Sequence, residues 1–533
     1  MKISWPLQQI QGLREKIFTL AVFALIIALL IIIEARPNFP DPDSFYHAKL
    51  AITIRDQGFI QTFPWFQWTS LRDSFVDSHL LYHLLLIPFV TFFDPLVGMK
   101  ISALVFGLLA FFAIYRFLRY LKVPWPALII LVTALSQGFL LRMSLPRAPA
   151  LSVTILLLGT WAIIERRKTI LFCTSLFFTW LYYGWPVIYL SLAAILLAQI
   201  VTETLNQKIG LKKILKQTWQ TNYQTIGVLI FGTIAGLIIN PYFPNNIFYS
   251  FLGIVKIGLI NYQSILPVGR EWFPTLPHDL ILAVLPLLIV FLFSFALFLP
   301  GLLVSKYAED KKYIYQLFLS IFLAGGYTLL TLKSNRYVEY LVPFLALATG
   351  LLVKNIAPFL KKELWPIFSR CRLAKISFTV LLLLSVFSFS SMSLKYVTGG
   401  DDYYQVSQYS TVTDWLKENV PAKEVIFHNT WDYSCVLWYL DDTHYYLVGL
   451  DPTLMYDFDP EATDLYLKLS DGRDPDVSQI KNFFKARVVV VDLRMAQAED
   501  LIKNLEQSGL FEEVVSNQWL RVFATPELTQ PNL

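Results

Sequence analysis

Apolar positions run almost uninterrupted through much of this chain, and the runs are long. Stretches near residues 17–34, 101–118, 125–142, 148–164, 169–186, 187–204, 223–240, 280–302, 314–332, 338–353 and 376–394 are each nearly free of internal charge. About 20 such residues in a helix cross about 30 Å of hydrocarbon, so the pattern predicts eleven membrane spans. A further apolar stretch, 79–96, contains His79, His83 and Asp94, with Pro88 and Pro95 to disturb a helix.

Lysine and arginine decide what that stretch does. Basic residues cluster at Arg116/Arg119/Lys122, Arg166/Arg167/Lys168, Lys208/Lys212/Lys213/Lys216, Lys306/Lys311/Lys312 and Lys354/Lys361/Lys362/Arg370/Arg372. If 79–96 does not cross, every cluster falls on one side with Lys2, Arg14 and Lys16, and cytoplasmic loops carry such an excess. The stretch is therefore predicted to lie in the membrane plane or to re-enter it, with the N-terminus cytoplasmic. Segments 37–100, 241–279 and everything after 394 then face outward, with all six histidines.

After Leu394 the pattern becomes that of a soluble domain. Thr411–Val420 reads as an amphipathic helix ending at Pro421. Val425-Ile426-Phe427 and Ala486–Asp492 read as short buried strands, the second a β-branched run of the parallel-sheet kind. Helical segments near 474–485 and 496–507 complete an α/β pattern. The expected organisation is a mainly α multi-pass domain over 1–394, with a large first external loop at 37–100. An extracytoplasmic α/β domain over 395–533 follows.

Composition agrees. Of 533 residues, 55% are hydrophobic, 16% aromatic and only 16% charged, and mean hydropathy is +0.52. A soluble chain cannot hide that much apolar surface, so an integral protein, here expected in the plasma membrane, follows. The first helix is too long for a cleaved signal peptide and is expected to remain as a span. Net charge is +5, and no nucleic-acid signature or internal repeat is present. Of three cysteines only Cys435 falls in an outer segment, so no internal disulfide or cysteine metal site is predicted there.

Candidate chemistry starts at the first membrane exit, Asp41-Pro42-Asp43-Ser44-Phe45-Tyr46-His47-Ala48-Lys49-Leu50. Acids gain nothing for insertion, since Asp at depth costs about 2.5–3.5 kcal/mol. The bland reading is a solvated acidic loop. A second stretch changes that balance. Trp415-Leu416-Lys417-Glu418-Asn419-Val420-Pro421 precedes Val425-Ile426-Phe427-His428-Asn429-Thr430-Trp431-Asp432-Tyr433-Ser434. It resembles the start of the soluble domain of the oligosaccharyltransferase catalytic subunit, where W-L-x-x-N-x-P precedes a strand and W-W-D-Y-G. Asp43 to Leu50 is similar to the D-x-Y-Y-H-x-R-L stretch in the first external loop of archaeal members.

The resemblance implies a divergent membrane glycosyltransferase of the GT-C class, inverting and metal-dependent. Such an enzyme moves a glycan from a polyprenyl-(di)phosphate donor to an acceptor polypeptide, at asparagine. Mn²⁺ or Mg²⁺ is the implied cofactor, with Asp43 the first ligand and Asp41 its alternative. Glu271, in Leu266–Thr275, matches a later-loop glutamate that joins metal and acceptor; both carboxylates are thereby catalytic candidates. Trp431, Asp432 and Tyr433 match the signature that holds the acceptor's hydroxyl. An ordinary strand-to-helix turn is the structural alternative for them. Arg336, at an outer helix end, is a candidate to pair with the donor phosphate or with an acidic acceptor residue, or else an interfacial arginine, and His47 in the first-loop motif is a further phosphate candidate.

Departures from the family pattern are plain. Thr430 and Ser434 replace the signature's first Trp and its Gly, and Arg142–Ala148 carries no acid where a second acidic motif is expected. Asp77 or His79 could supply the missing ligand, unless the histidines only anchor an interfacial helix. Arg147 could instead neutralise phosphate directly. Eleven spans is also below the family's usual thirteen. A second reading therefore stands beside the first: transfer of one sugar from a polyprenyl monophosphate to a lipid, a cell-wall polymer or a protein hydroxyl. A transporter or scaffold is disfavoured, because the spans carry almost no polar relay.

Overall fold

The computed structural model describes residues 5–206, 210–304, 311–364, 366, 370–399 and 404–529. Lys2, Lys208 and Lys306 lie outside the described residues. The chain divides into two compact units, and they do not follow the expected boundary at 394. One unit is Met1–Ala35, Ile101–Ile239 and Arg270–Gly399; the other is Arg36–Lys100, Asn240–Gly269 and Gly400–Leu533.

The first unit is helical. Among the described residues of the whole chain, eight helices are long and apolar enough to cross a membrane, or nine if one bent pair is a single span. Every expected span is found as helix, but three fall short of the eleven by this measure. Pro149–Ile164 and Lys168–Leu181 have 16 and 14 residues, or about 24 and 21 Å. The third is the bent pair Pro126–Ala134 and Gln137–Ser144, which meet at 81°. Leu135 and Ser136 interrupt the helix there, and both are buried. Broken backbone at membrane depth is tolerated where protein surrounds it, and Ser393 Oγ donates to the freed Leu135 carbonyl at 2.9 Å.

Close helix packing is written into small residues. Gly232 and Gly236, one GxxxG apart on Leu211–Ile239, face the Lys168–Leu181 helix. A Cβ at either would lie 2.7 or 2.6 Å from the carbonyl of Phe172 or Leu176. Hydrogen on that face lets the backbones approach, and Trp180 Nε1 donates to the Gly236 carbonyl at 2.7 Å. Val338–Phe359 is buried nearly all round at the unit's centre. Arg372–Thr398 instead exposes Leu381, Leu383, Leu384 and Phe387, as a lipid-facing helix should.

The second unit contains a five-stranded sheet, β1 (Val425–His428), β2 (Tyr445–Tyr446), β3 (Ala486–Asp492), β4 (Glu512–Ser516) and β5 (Leu520–Ala524), ordered β2-β1-β3-β5-β4. β1 pairs in parallel with β2 and β3; β5 pairs antiparallel with β3 and β4. The expected helix at 411–420 is Val406–Asn419, started by a reciprocal Gln405/Gln408 cap. The expected helices near 474–485 and 496–507 are Ser478–Asn482 and Ala498–Ser508.

Residues 36–100 belong to this unit because their aromatic rings complete its core. Phe63 packs on Trp438 with centroids 4.7 Å apart, and Trp68 stacks on Phe483 at 5.1 Å. The backbone joins too: Gln67 and Trp68 donate to the carbonyls of Tyr446 and Leu447 at 2.8 and 2.9 Å, extending the sheet beyond β2. The stretch expected in-plane is Leu80–Phe92, 13 residues or about 20 Å long, too short to cross.

Candidate functional site

In the helical unit, an arginine cluster is built from three breaks in helical structure. The bent pair ends in Gln137–Ser144, which carries Arg142. A 3₁₀ turn, Arg270–Trp272, carries Glu271, and another, Asn335–Tyr337, carries Arg336. Ser334 Oγ donates to the Glu271 carbonyl at 2.8 Å, and Asn335 N–H to the Phe273 carbonyl at 3.0 Å, pinning the two turns together. Glu339 follows in the first turn of Val338–Phe359, where the positive end of a helix favours an acid.

The side chains interlock. Arg142 Nε and Nη2 donate to Glu339 Oε2 at 2.8 and 2.6 Å, and its Nη1 donates to Glu271 Oε2 at 2.6 Å. Arg336 Nη1 donates to Glu271 Oε1 at 2.9 Å, and Arg147 Nη2 stands 3.7 Å from the same oxygen. The Arg336 guanidinium also lies 4.7 Å from the ring centroids of both Tyr182 and Trp272, a cation–π sandwich. Burial alone would raise the Glu271 pKa, but the Arg336, Arg147 and Arg142 guanidiniums outweigh it and hold the carboxyl well below the usual range. Glu271 is the most exposed member, at 22%, while Arg142 and Arg336 are 7% exposed. Two buried polar atoms of the cluster have no hydrogen-bond partner, Arg336 Nε and Glu339 Oε1. Buried orphans of this kind carry a full desolvation penalty and call for an explanation.

Expectation and structure overlap here in part. Glu271, Arg336 and Arg147 do come together. Arg142 and Glu339 were not singled out as site residues, although an ionisable group in an otherwise apolar segment is a functional signal by itself.

The other candidates lie in the second unit. Asp43 opens the helix Asp43–Gln57, and its backbone N–H donates to Asp41 Oδ1 at 2.8 Å. The helix Ser434–Leu440 packs on Asp43–Gln57, with Tyr439 on Phe45 and Trp438 on Tyr46 at centroid distances of 5.6 and 5.7 Å. The two stretches that carry the family resemblance are therefore neighbours. Burial pushes the Cys435 thiol up, and the Asp43, Asp41 and Asp432 charges add to that shift.

Trp431 Nε1 donates to the Pro267 carbonyl at 2.9 Å, and Ser434 Oγ to the Trp431 carbonyl at 2.7 Å. Tyr433 is fully buried and donates to the Val490 carbonyl at 2.9 Å. It supports the turn from within the core and does not face an acceptor. Trp431 and Asp432 are only partly buried. Nearby His428 is structural: its Nδ1 bonds the Thr430 carbonyl at 2.8 Å, its Nε2 accepts from Leu447 N–H at 3.2 Å, and burial lowers it to about 4.

His47 joins a buried chain, with its Nδ1 2.7 Å from His83 Nε2 and His83 Nδ1 2.7 Å from Asp77 Oδ2. Asp77 Oδ1 also accepts from His79 N–H at 2.9 Å. Among the described residues, no three His, Cys, Asp or Glu side chains are grouped to hold a metal ion. Of the expected ligands, Glu271 is engaged by guanidiniums and Asp77 by imidazole.

No known family model matches the sequence, and no curated protein matches it. Solved structures do. The crystal structure of ArnT from Cupriavidus metallidurans bound to undecaprenyl phosphate matches with a TM-score of 0.54 at 13% identity, covering 95% of this chain and 97% of that one. The arabinofuranosyltransferase AftD from Mycobacteria matches with a TM-score of 0.51 at 12% identity over 95% of this chain. This chain spans 40% of AftD's length. This chain thus shares the fold of these two structures, mainly helical, with helices long and apolar enough to cross a membrane and a small C-terminal sheet.

Proposed function

We propose that this protein is a membrane glycosyltransferase whose donor is a sugar carried on polyprenyl phosphate, with the phosphate bound at the arginine cluster. The observation that carries the reading is the convergence of Arg142, Arg147 and Arg336 on one half-buried carboxylate, with Arg336 Nε left buried and unpartnered. Guanidiniums are matched to phosphate in shape and charge. The ArnT structure, with undecaprenyl phosphate bound, supports the choice of ligand class.

In the transfer, an acceptor oxygen attacks the anomeric carbon with inversion. The bond from that carbon to the phosphate oxygen breaks, and polyprenyl phosphate leaves with the electron pair. Charge grows on the phosphate as the bond breaks, and donors fixed in advance in a dry site stabilise that charge without reorganising. Arg336 is held by two rings and a carboxylate and meets this requirement. The acceptor's proton passes to a base or to water as its oxygen bonds to that carbon. The transfer is placed on the non-cytoplasmic face, as the distribution of basic residues suggests.

A protein acceptor remains the second reading, favoured by the partly exposed Trp431 and Asp432 beside the Asp43 helix. The test uses full-length protein in nanodiscs with undecaprenyl-phosphate-linked radiolabelled sugar, with and without Mg²⁺ or Mn²⁺. Lipid, polysaccharide and Asn-x-Thr peptide acceptors are offered separately. Release of undecaprenyl phosphate is expected with one acceptor class, and labelled peptide would select the protein reading. Intact donor with every acceptor would refute the proposal.

A further inference from the structure

Glu271 is an unusual member of a phosphate site, since a carboxylate repels phosphate. Its place in the cluster explains it. Glu339 is fully buried and bound by two N–H groups of Arg142, so it is the fixed counter-charge of that arginine. Glu271 sits on a short turn, is more exposed, and is shared among three guanidiniums. Three guanidiniums against two carboxylates leave the cluster one positive charge.

That surplus matches one class of donor. A sugar on polyprenyl monophosphate is a phosphodiester with a single negative charge, and binding it brings the buried cluster to neutrality. A sugar on polyprenyl diphosphate carries two, and would leave one negative charge uncompensated among buried groups, which is strongly unfavourable. We infer that Glu271 is a specificity residue: by subtracting one charge from the arginine cluster it selects a monophosphate-linked donor over a diphosphate-linked one. Specificity of this kind works by an element placed against the wrong ligand. The inference rests on the donor reading above and sharpens it.

Competition binding tests it. Full-length protein in nanodiscs is offered an undecaprenyl-phosphoryl sugar and an undecaprenyl-diphosphoryl sugar bearing the same glycosyl group, and the ratio of their affinities is measured for the wild type, Glu271→Gln and Glu271→Asp. The wild type should prefer the monophosphate. Glu271→Gln, which raises the surplus to two, should shift the ratio towards the diphosphate by at least about tenfold, or about 1.4 kcal/mol. Glu271→Asp keeps the charge and should keep the wild-type preference, so it separates charge from packing if Glu271→Gln is poorly folded. An unchanged ratio in Glu271→Gln, or a wild type that prefers the diphosphate, overturns the inference and leaves the donor site standing. Failure of the wild type to bind either lipid overturns the donor reading itself.

Discussion

Replacing Arg336 with alanine is the sharpest perturbation of the arginine cluster. The side chain makes one charge-assisted hydrogen bond to Glu271 and lies between Tyr182 and Trp272. It is nine-tenths buried, with a further N–H unpartnered. A charge-assisted bond of this kind contributes about 1.5–3 kcal/mol, and one preorganised donor at a developing charge contributes about 2.7–4 kcal/mol to a transition state. Each 1.36 kcal/mol is a factor of ten in rate, so Arg336→Ala should lower kcat/KM for polyprenyl-phosphoryl sugar by about 10²–10³. Arg336→Lys restores the charge but neither the planar fork nor the stacking, and should recover only part of the loss. The assay is release of undecaprenyl phosphate from labelled donor by nanodisc-embedded protein, with thermal unfolding measured alongside. An Arg336→Ala protein that unfolds at the wild-type temperature and turns over within about threefold of wild type would refute the reasoning.

Other consequences follow from the same geometry. Arg142→Ala leaves Glu339 buried without its partner, which should destabilise the protein by about 3–5 kcal/mol. Thermal unfolding reads this, and adding Glu339→Gln should restore much of the loss. Asp43→Ala should abolish sugar transfer while retention of undecaprenyl phosphate is unchanged, and turnover at the wild-type rate would remove Asp43 from the chemistry. In the second unit, His444 Nδ1 meets Asp441 Oδ2 at 2.6 Å, both side chains buried. Burial works against both charges, but the pair prevails, raising His444 and lowering Asp441. The His444 contribution is complete below its ordinary value of about 6.5 and fades as pH rises through the raised folded value. The Asp441 contribution is complete above about 3.9 and fades as pH falls through the lowered one. Between those limits the pair stabilises most, so His444→Gln should cost more stability at pH 5.5 than at pH 9, and an equal cost at both would contradict the assignment.

Much of the helical unit was legible because apolar runs of this length have few other uses. What hydropathy could not show is where a run breaks. Leu135-Ser136 looks no different from its neighbours, yet it turns the chain by 81° and delivers Arg142 to the cluster. The short strands β2, β4 and β5 carry too few residues for a clear period-two signal. The composition shift after Leu394 marks the last membrane helix well, but misses that residues 36–100 fold with the C-terminal part. Aromatic pairs such as Phe63 with Trp438, and backbone bonds from Gln67 and Trp68 to the sheet, reveal that, and such pairing is invisible in one sequence.

The candidate site was legible in pieces. Glu271, Arg336 and Arg147 were found through resemblance and helix-end position. Arg142 and Glu339 are 197 residues apart, and the acid-free stretch 142–148 reads as a gap in a metal site. Its two arginines instead converge on Glu271, where we propose that they meet the donor phosphate. The same resemblance brought Asp43 and Trp431-Asp432 into view, and helix packing within the second unit makes them neighbours. Tyr433 belongs to the core instead, because its hydroxyl is needed by a strand carbonyl.

The most direct measurement is a cryo-EM structure of the full-length protein in nanodiscs doped with undecaprenyl phosphate. Phosphate density within hydrogen-bonding distance of Arg336 and at least one of Arg142 and Arg147 is the predicted result. Lipid phosphate resolved elsewhere in the protein, with the arginines still closed on Glu271, would contradict the account.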